Sequence, residues 1–546
     1  MSIRIAKTKY GEILGAKLKG KYEGITTFRS VPYAQPPVGD LRFRPPVDPV
    51  PWEGIWDATM FASRPMTSTV VNALNSEPYA SDFYYRGNPP MSEDCLYLHI
   101  TTGAKDASER RPVFLWFHGG GLISGYYSEL EFDPSELARK GVVVVSVGQR
   151  LNVFGYLCLP QLSAEQGGIS GNYGLMDELK ALDWVRENIK AFGGDPDNIT
   201  VGGQSGGTLK STALVTSPQA AGKIRRCINQ SNLCWADGGY DTLETAYENG
   251  KAYLKNVGLD PEITAEELRK VPAQTFFNQK EMVFFGPGGL PGNMVCDGKY
   301  VMNISGQKNM EEYAQNMDFL SGGNEGEMFL DGPALMDMGK KFETAEEFYD
   351  FMKEKLGDLY DTYEFEKLFL VTDENVRMMG RILAARGLSD GFLNGGVIQN
   401  RYFGAYRSVH APQTNTYSYT FGRYLPSRPE EKDTVRDSRE QMAWHSGELW
   451  YTFGSLLTGE PPRRPWEPLD KQLAEQMSSY WANFIATGDP NGKDSLGNPL
   501  PYWPKSDDNY GWLYVTNNGI EGREGLDPLD QLCLEYHKRN GNVPEI

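Results

Sequence analysis

The sequence predicts an α/β fold with a large, mostly parallel central sheet, and three observations carry that reading. PVFLWF (112–117) and GVVVVSVG (141–148) are short apolar runs rich in β-branched and aromatic residues. They show no polar alternation, which is the pattern of strands buried on both faces. Between them and the next apolar run, Leu175, Leu179, Leu182, Val185 and Ile189 recur at three- and four-residue steps, the spacing of an amphipathic helix. Gly193 and Gly194 then stop that helix, Asp195-Pro196 turns the chain, and Ile199 to Val201 begin another buried strand. Strand, helix and strand in this order form a βαβ unit.

The remaining elements extend this frame. From about 240 to 380, helical patterns such as TAEEFYDFMKEKLGDLYDTYEFEKLFL alternate with loops such as FFGPGGLPGN. This stretch is read as a helical excursion over the sheet edge that forms a pocket wall. LDKQLAEQMSSYWANFIATG is a further amphipathic helix, ended by Gly488. No solenoid-period repeat and no low-complexity linker divides the chain. Residues 1–546 are therefore expected to form one domain, although the length alone would allow about three.

Composition narrows the function classes. A share of 40% apolar and 23% charged residues is that of a soluble globular protein. The net charge of -18 would repel a phosphate backbone, which argues against a nucleic-acid partner. The same charge keeps a large protein in solution or, on a sharper reading, steers cationic substrates. MSIRIAKTKYGEILGAKLKG has no apolar stretch suited to a signal peptide, and eighteen apolar residues never run together, so no membrane segment is expected. The six cysteines fit reduced thiols in a cytoplasmic protein. None has the spacing of zinc ligands, so no structural metal site is expected.

The chemistry is read from ITVGGQSGGTLKS (199–211). Ser205 stands between a predicted strand and a predicted helix, with glycines two before and two after it. A nucleophile held in a strained turn needs that context and that room. Without it, the same residues would be a βα turn with a capping serine. FHGGGLISG (117–125) follows the strand PVFLWF. Its glycines can turn backbone N–H groups toward the oxyanion of a tetrahedral intermediate. Gly120 and Gly121 are the candidate donors, with the N–H of Gly206 as a third.

A serine nucleophile needs a base, and the base needs an orienting acid. The chain has five histidines. His118 belongs to the glycine loop, His99 to the apolar stretch CLYLHI and His537 to the charged LEYHKRNG. That leaves His445, in a short polar break before an aromatic run, and His410. In DFLSGGNEGEMFL (318–330) an apolar run passes through glycines to Glu325, with Glu327 and Asp331 close by.

At this point the residues resemble the type-B carboxylesterases over nearly the whole chain. FRSVPYAQPPVGDLRFRPP, SEDCLYLHI, RLNVFGYL, GNYGLMDELKALDWVRENIKAFGGDPDNITVGGQSGG and YWANFIATGDPNG match that family's segments in order. The resemblance implies an α/β-hydrolase fold with helical excursions around an active-site gorge, and no cofactor. It also implies hydrolysis of small to medium carboxylic esters through an acyl-enzyme. Within it, GGNEGEMF assigns the acid to Glu325 and HSGELWYTFG assigns the base to His445. Glu448 resembles the family's buried supporting acid. Members of this fold that act as adhesion proteins have lost the serine or the histidine, and this chain keeps both. The same acyl chemistry would also serve amides, lactones or carbamates.

Two departures stand out. No cysteine lies near MFASRPMTST, where many relatives place the partner of the EDCL cysteine, so Cys95 is expected to be free, and Cys234 likewise lacks an evident partner. The family's usual Glu before the serine is Gln204 here, and its usual Ala after it is Gly206. The neutral Gln204 is expected to lower the histidine's pKa and to tolerate anionic substrates. Substrate pockets are expected from loops 62–91 and 282–294.

Overall fold

The computed structural model describes residues 2–67, 89–231, 240–281, 287–327, 342–388, 396–434, 436–456 and 464–546. Among them, eleven strands form one sheet. In chain order these are β1 (Ala16–Lys17), β2 (Thr26–Pro32), β3 (Tyr97–Thr102), β4 (Arg111–Phe117), β5 (Val143–Val147) and β6 (Gly194–Gln204). They continue with β7 (Arg226–Gln230), β8 (Asp318–Asn324), β9 (Thr416–Phe421), β10 (Trp512–Thr516) and β11 (Gly519–Arg523). The spatial order is β11-β10-β9-β8-β7-β6-β4-β5-β3-β2-β1. From β10 to β5 every neighbouring pair is parallel. The pairs outside that run are antiparallel. This is the α/β-hydrolase fold with its mostly parallel sheet.

Burial explains why β4 reads as an unbroken apolar run from Pro112 to Phe117. Along β4, Val113, Leu115 and Phe117 enter one core, and Phe114 and Trp116 enter another on the opposite face. Helix α1 (Tyr173–Asn188) closes the first core with Leu175, Leu179, Leu182 and Val185. Helix α2 (Gly206–Val215) adds Ala213, Leu214 and Val215 to the same side. The helix Pro468–Thr487 covers the other face with Leu473, Met477, Trp481 and Phe484, and Gly488 ends it in the left-handed conformation.

The stretch from 240 to 380 is not a helical excursion throughout. Helices Leu243–Asn256 and Ala345–Leu356 lie on either side of β8 in the chain, and β8 is a central strand of the sheet. Of the loops expected to shape the pockets, 68–88 and 282–286 lie outside the described residues, as does Cys234. Cys95, Cys158, Cys227, Cys296 and Cys533 are free thiols. No helix among the described residues is long and apolar enough to cross a membrane.

Candidate active site

β6 ends at Gln204 and α2 begins at Gly206, which leaves Ser205 alone in the turn. Its backbone sits at φ 56°, ψ -122°, a region that a residue with a side chain occupies only when its surroundings hold it there. The restraint is visible: the Ser205 N–H donates to the Gln230 carbonyl at 2.9 Å. The flanking glycines are a packing requirement. A Cβ on Gly203 would stand 2.1 Å from the Gly207 carbonyl oxygen, and one on Gly207 would stand 2.1 Å from that of Phe117.

The loop after β4 meets this turn. Gly120 and Gly121 adopt φ of 93° and 60°, and Ile123 and Ser124 both donate to the Gly120 carbonyl, at 3.1 and 3.0 Å. The N–H groups of Gly120, Gly121 and Gly206 have no acceptor among the described residues. A Cβ on Gly206 would lie only 2.4 Å from the Gly121 nitrogen, so the two backbones are nearly in contact. The geometry leaves free donors from both segments beside Ser205, as an oxyanion site requires.

His445 reaches the same place from the other side of the sheet's end. Its Nε2 lies 3.3 Å from Nε2 of Gln204, the residue before the serine. Its Nδ1 is 2.5 Å from Oε2 of Glu327. The other oxygen of Glu327 accepts from the Asn324 N–H at 2.7 Å, and the Gly326 N–H donates to the Ala443 carbonyl at 2.9 Å. These bonds lock the end of β8 against the histidine loop. Asn324 adds a brace, its Nδ2 donating to the Trp444 carbonyl and to Glu448, both at 2.6 Å. Glu448 is fully buried; burial, then the charge of Glu327, pushes its carboxyl up to about 7. For His445, burial favours the neutral ring, but the charge and hydrogen bond of Glu327, with Glu448 behind, outweigh it and raise the pKa.

The carboxylate that meets His445 is Glu327, not the expected Glu325. Glu325 does not touch His445. Its N–H is tied to the Phe421 carbonyl of β9 at 2.8 Å, and its carboxylate accepts from the Tyr514 hydroxyl at 3.2 Å. The ladder to β9 thus carries Glu325 toward β10, and only after the turn at Gly326 does a carboxylate face the histidine. Asp331 lies outside the described residues.

The other histidines are occupied elsewhere. His99 bonds Thr27 at 2.7 Å within the sheet, and burial lowers its pKa to about 3. His118 folds back on the Gly119 carbonyl at 2.8 Å, and His410 stacks on Tyr406. His537 is buried in the helix Pro528–Arg539. Among the described residues, no group of His, Cys, Asp or Glu could hold a metal ion.

A family model described as "Carboxylesterase family" matches residues 2–526. The chain is 31% identical to the para-nitrobenzyl esterase of Bacillus subtilis strain 168, covering 90% of this chain and 91% of that one. It is 30% identical to carboxylesterase 4A of Bos taurus, covering 95% and 93%. Among solved structures, a Geobacillus stearothermophilus carboxylesterase superposes with a TM-score of 0.74 at 26% identity, covering 99% and 100%. A p-nitrobenzyl esterase superposes at 0.72 and 27%, with both chains fully covered.

Proposed function

Because the chain belongs to the carboxylesterase family and is a carboxylic-ester hydrolase, we propose that it works through an acyl-enzyme on Ser205, with His445 as base and Glu327 as the orienting acid. The observation that carries this reading is the 2.5 Å contact between His445 Nδ1 and Glu327, made beside a serine in a strained turn. Glu327 fixes the proton on Nδ1, so Nε2 is left to accept the proton of Ser205 as its oxygen attacks the ester carbonyl. The carbonyl oxygen gains negative charge, which the N–H groups of Gly120, Gly121 and Gly206 receive. These contacts strengthen only as the charge develops, so they lower the barrier instead of merely tightening binding.

When the tetrahedral intermediate collapses, His445 returns its proton to the leaving alcohol and the acyl group stays on Ser205. Water then enters, His445 takes its proton, and the same donors hold the second oxyanion until the acid leaves. Glu448 and Asn324 touch neither substrate nor serine; they hold the loop that carries His445. The proposed substrates are carboxylic esters of small to medium size, and the p-nitrobenzyl esters in the name of the Bacillus relative are the first to try. Five free thiols support a reducing, cytoplasmic setting.

The test is hydrolysis of p-nitrophenyl esters from acetate to decanoate by the wild type and by Ser205→Ala, Glu327→Gln and Glu325→Gln. Ser205→Ala should abolish the burst. Glu327→Gln should lower kcat by about 10⁴-fold, the cost of misorienting a triad histidine. Glu325→Gln should stay within about tenfold of wild type, short of the loss from one oxyanion donor. A reversed order for the two glutamates would return the acid to Glu325.

A further inference from the structure

Lys210 lies on α2, five residues and about 7.5 Å of helix rise beyond Ser205, and no part of it reaches solvent. Its Nζ donates to the His118 carbonyl at 3.0 Å, at the root of the glycine loop. The Gln149 amide, turned so that its nitrogen donates to the Val147 carbonyl at 2.7 Å, presents its oxygen to the same Nζ. The backbone of α2 closes on this carbonyl as well, since a Cβ on Gly207 would stand 2.9 Å from it.

The charges that face Lys210 come from other elements. Glu178 on α1 is fully buried, and neither of its oxygens has a hydrogen-bond partner among the described residues. Glu129, beyond the glycine loop, is also buried and accepts from the Tyr126 N–H at 2.8 Å. Burial pulls Lys210 down to about 7 against the pull of both glutamates, and it pushes Glu178 up to about 8. A helix that had only to fill the core would carry an apolar side chain at 210, because burying an ammonium is costly. Here that cost is met at one point, the carbonyl that anchors the loop.

We propose that Lys210 is a positioning residue for the oxyanion donors, its buried Nζ clamping the His118 carbonyl so that the following turn presents the N–H groups of Gly120 and Gly121. The proposal rests on the acyl-enzyme reading, in which those groups receive the oxyanion. Lys210 touches no substrate. Its effect passes through the loop, to the N–H groups that meet the negative charge as the oxyanion forms. Substrate binding in the ground state, before that charge develops, is left nearly unchanged.

The experiment compares Lys210→Met and Lys210→Gln with the full-length wild type. Each is normalised by active-site titration with a p-nitrophenyl phosphonate. With p-nitrophenyl butyrate, Lys210→Met should lose ten- to a hundredfold in kcat while KM stays within about threefold, the loss expected when donors serve the transition state alone. Affinity for a trifluoromethyl ketone, which forms the tetrahedral adduct, should fall in step with kcat. Lys210→Gln, which keeps an N–H donor without the charge, should fall between the two, and it carries the test if the methionine variant does not fold. Hydrogen exchange of residues 117–125 in the absence of substrate should quicken in the variant. Because exchange reads the clamp without turnover, it separates failure of this proposal from failure of the acyl-enzyme reading. Unchanged exchange, or a kcat per titrated site within twofold of wild type, overturns the role of Lys210.

Discussion

His445 and Glu327 meet at 2.5 Å inside a buried pocket whose second carboxylate, Glu448, is raised toward neutrality. The consequence is a basic histidine. Glu327 and Glu448 both favour the imidazolium, and together they overcome the burial that opposes it. A general base must be neutral to accept a proton, so activity is lost as pH falls through its pKa. The acidic limb of kcat/KM should therefore lie above the ordinary histidine value of about 6.5. Glu448→Gln removes the lesser raising charge, already weakened by protonation near pH 7, and should move that limb slightly downward with little change in the plateau. A pH–rate profile of both proteins on p-nitrophenyl acetate checks this, and a limb below 6.5 in the wild type would contradict it.

Much of this architecture was legible in the sequence, and the reason is burial. β4 and β5 are packed on both faces, so apolar residues dominate them with no alternation, and α1 shows its apolar stripe because Leu175, Leu179, Leu182 and Val185 enter one core together. The serine turn was legible because its glycines answer a local need. The acid was not. Glu325 and Glu327 are two residues apart, and what separates them is a long-range choice: Glu325 is held to Phe421, whereas Gly326 is held to Ala443, more than a hundred residues later. No local pattern encodes which carboxylate a distant histidine loop will meet. His537 shows the same limit, since its charged neighbours in sequence give no sign that its helix turns the side chain inward.

Gly206 should be intolerant of the alanine that relatives usually carry. The Gly121 nitrogen would be 2.4 Å from the new methyl carbon and the Gly121 Cα 2.8 Å. Both obstacles are backbone, so no rotamer change relieves them and the glycine loop must retreat. A retreat moves at least one N–H away from the oxyanion, and losing one such donor typically costs about 10²–10³-fold in kcat. Gly206→Ala is expected to show that loss with KM nearly unchanged and with the thermal transition close to wild type. A variant with full kcat would mean that the loop moves without cost, or that Gly121 does not serve the oxyanion.

Gln204→Glu tests what the neutral amide contributes. The amide nitrogen of Gln204 lies 3.3 Å from Nε2 of His445, the atom proposed to accept the serine proton. A carboxylate at that distance would hold the imidazolium by charge and hydrogen bond, on top of what Glu327 and Glu448 already supply. An opposite charge this close typically shifts a pKa by about 1–3 units in favour of the charged form. The acidic limb should accordingly move up by about one unit or more, leaving the enzyme less active near pH 7. Esters with an anionic acyl chain should lose more than neutral ones, because the new carboxylate repels them. Profiles for p-nitrophenyl acetate and a p-nitrophenyl hemisuccinate measure both effects. An unmoved limb would mean that residue 204 does not set the basicity of His445, and equal losses on the two esters would mean that it does not face the acyl group.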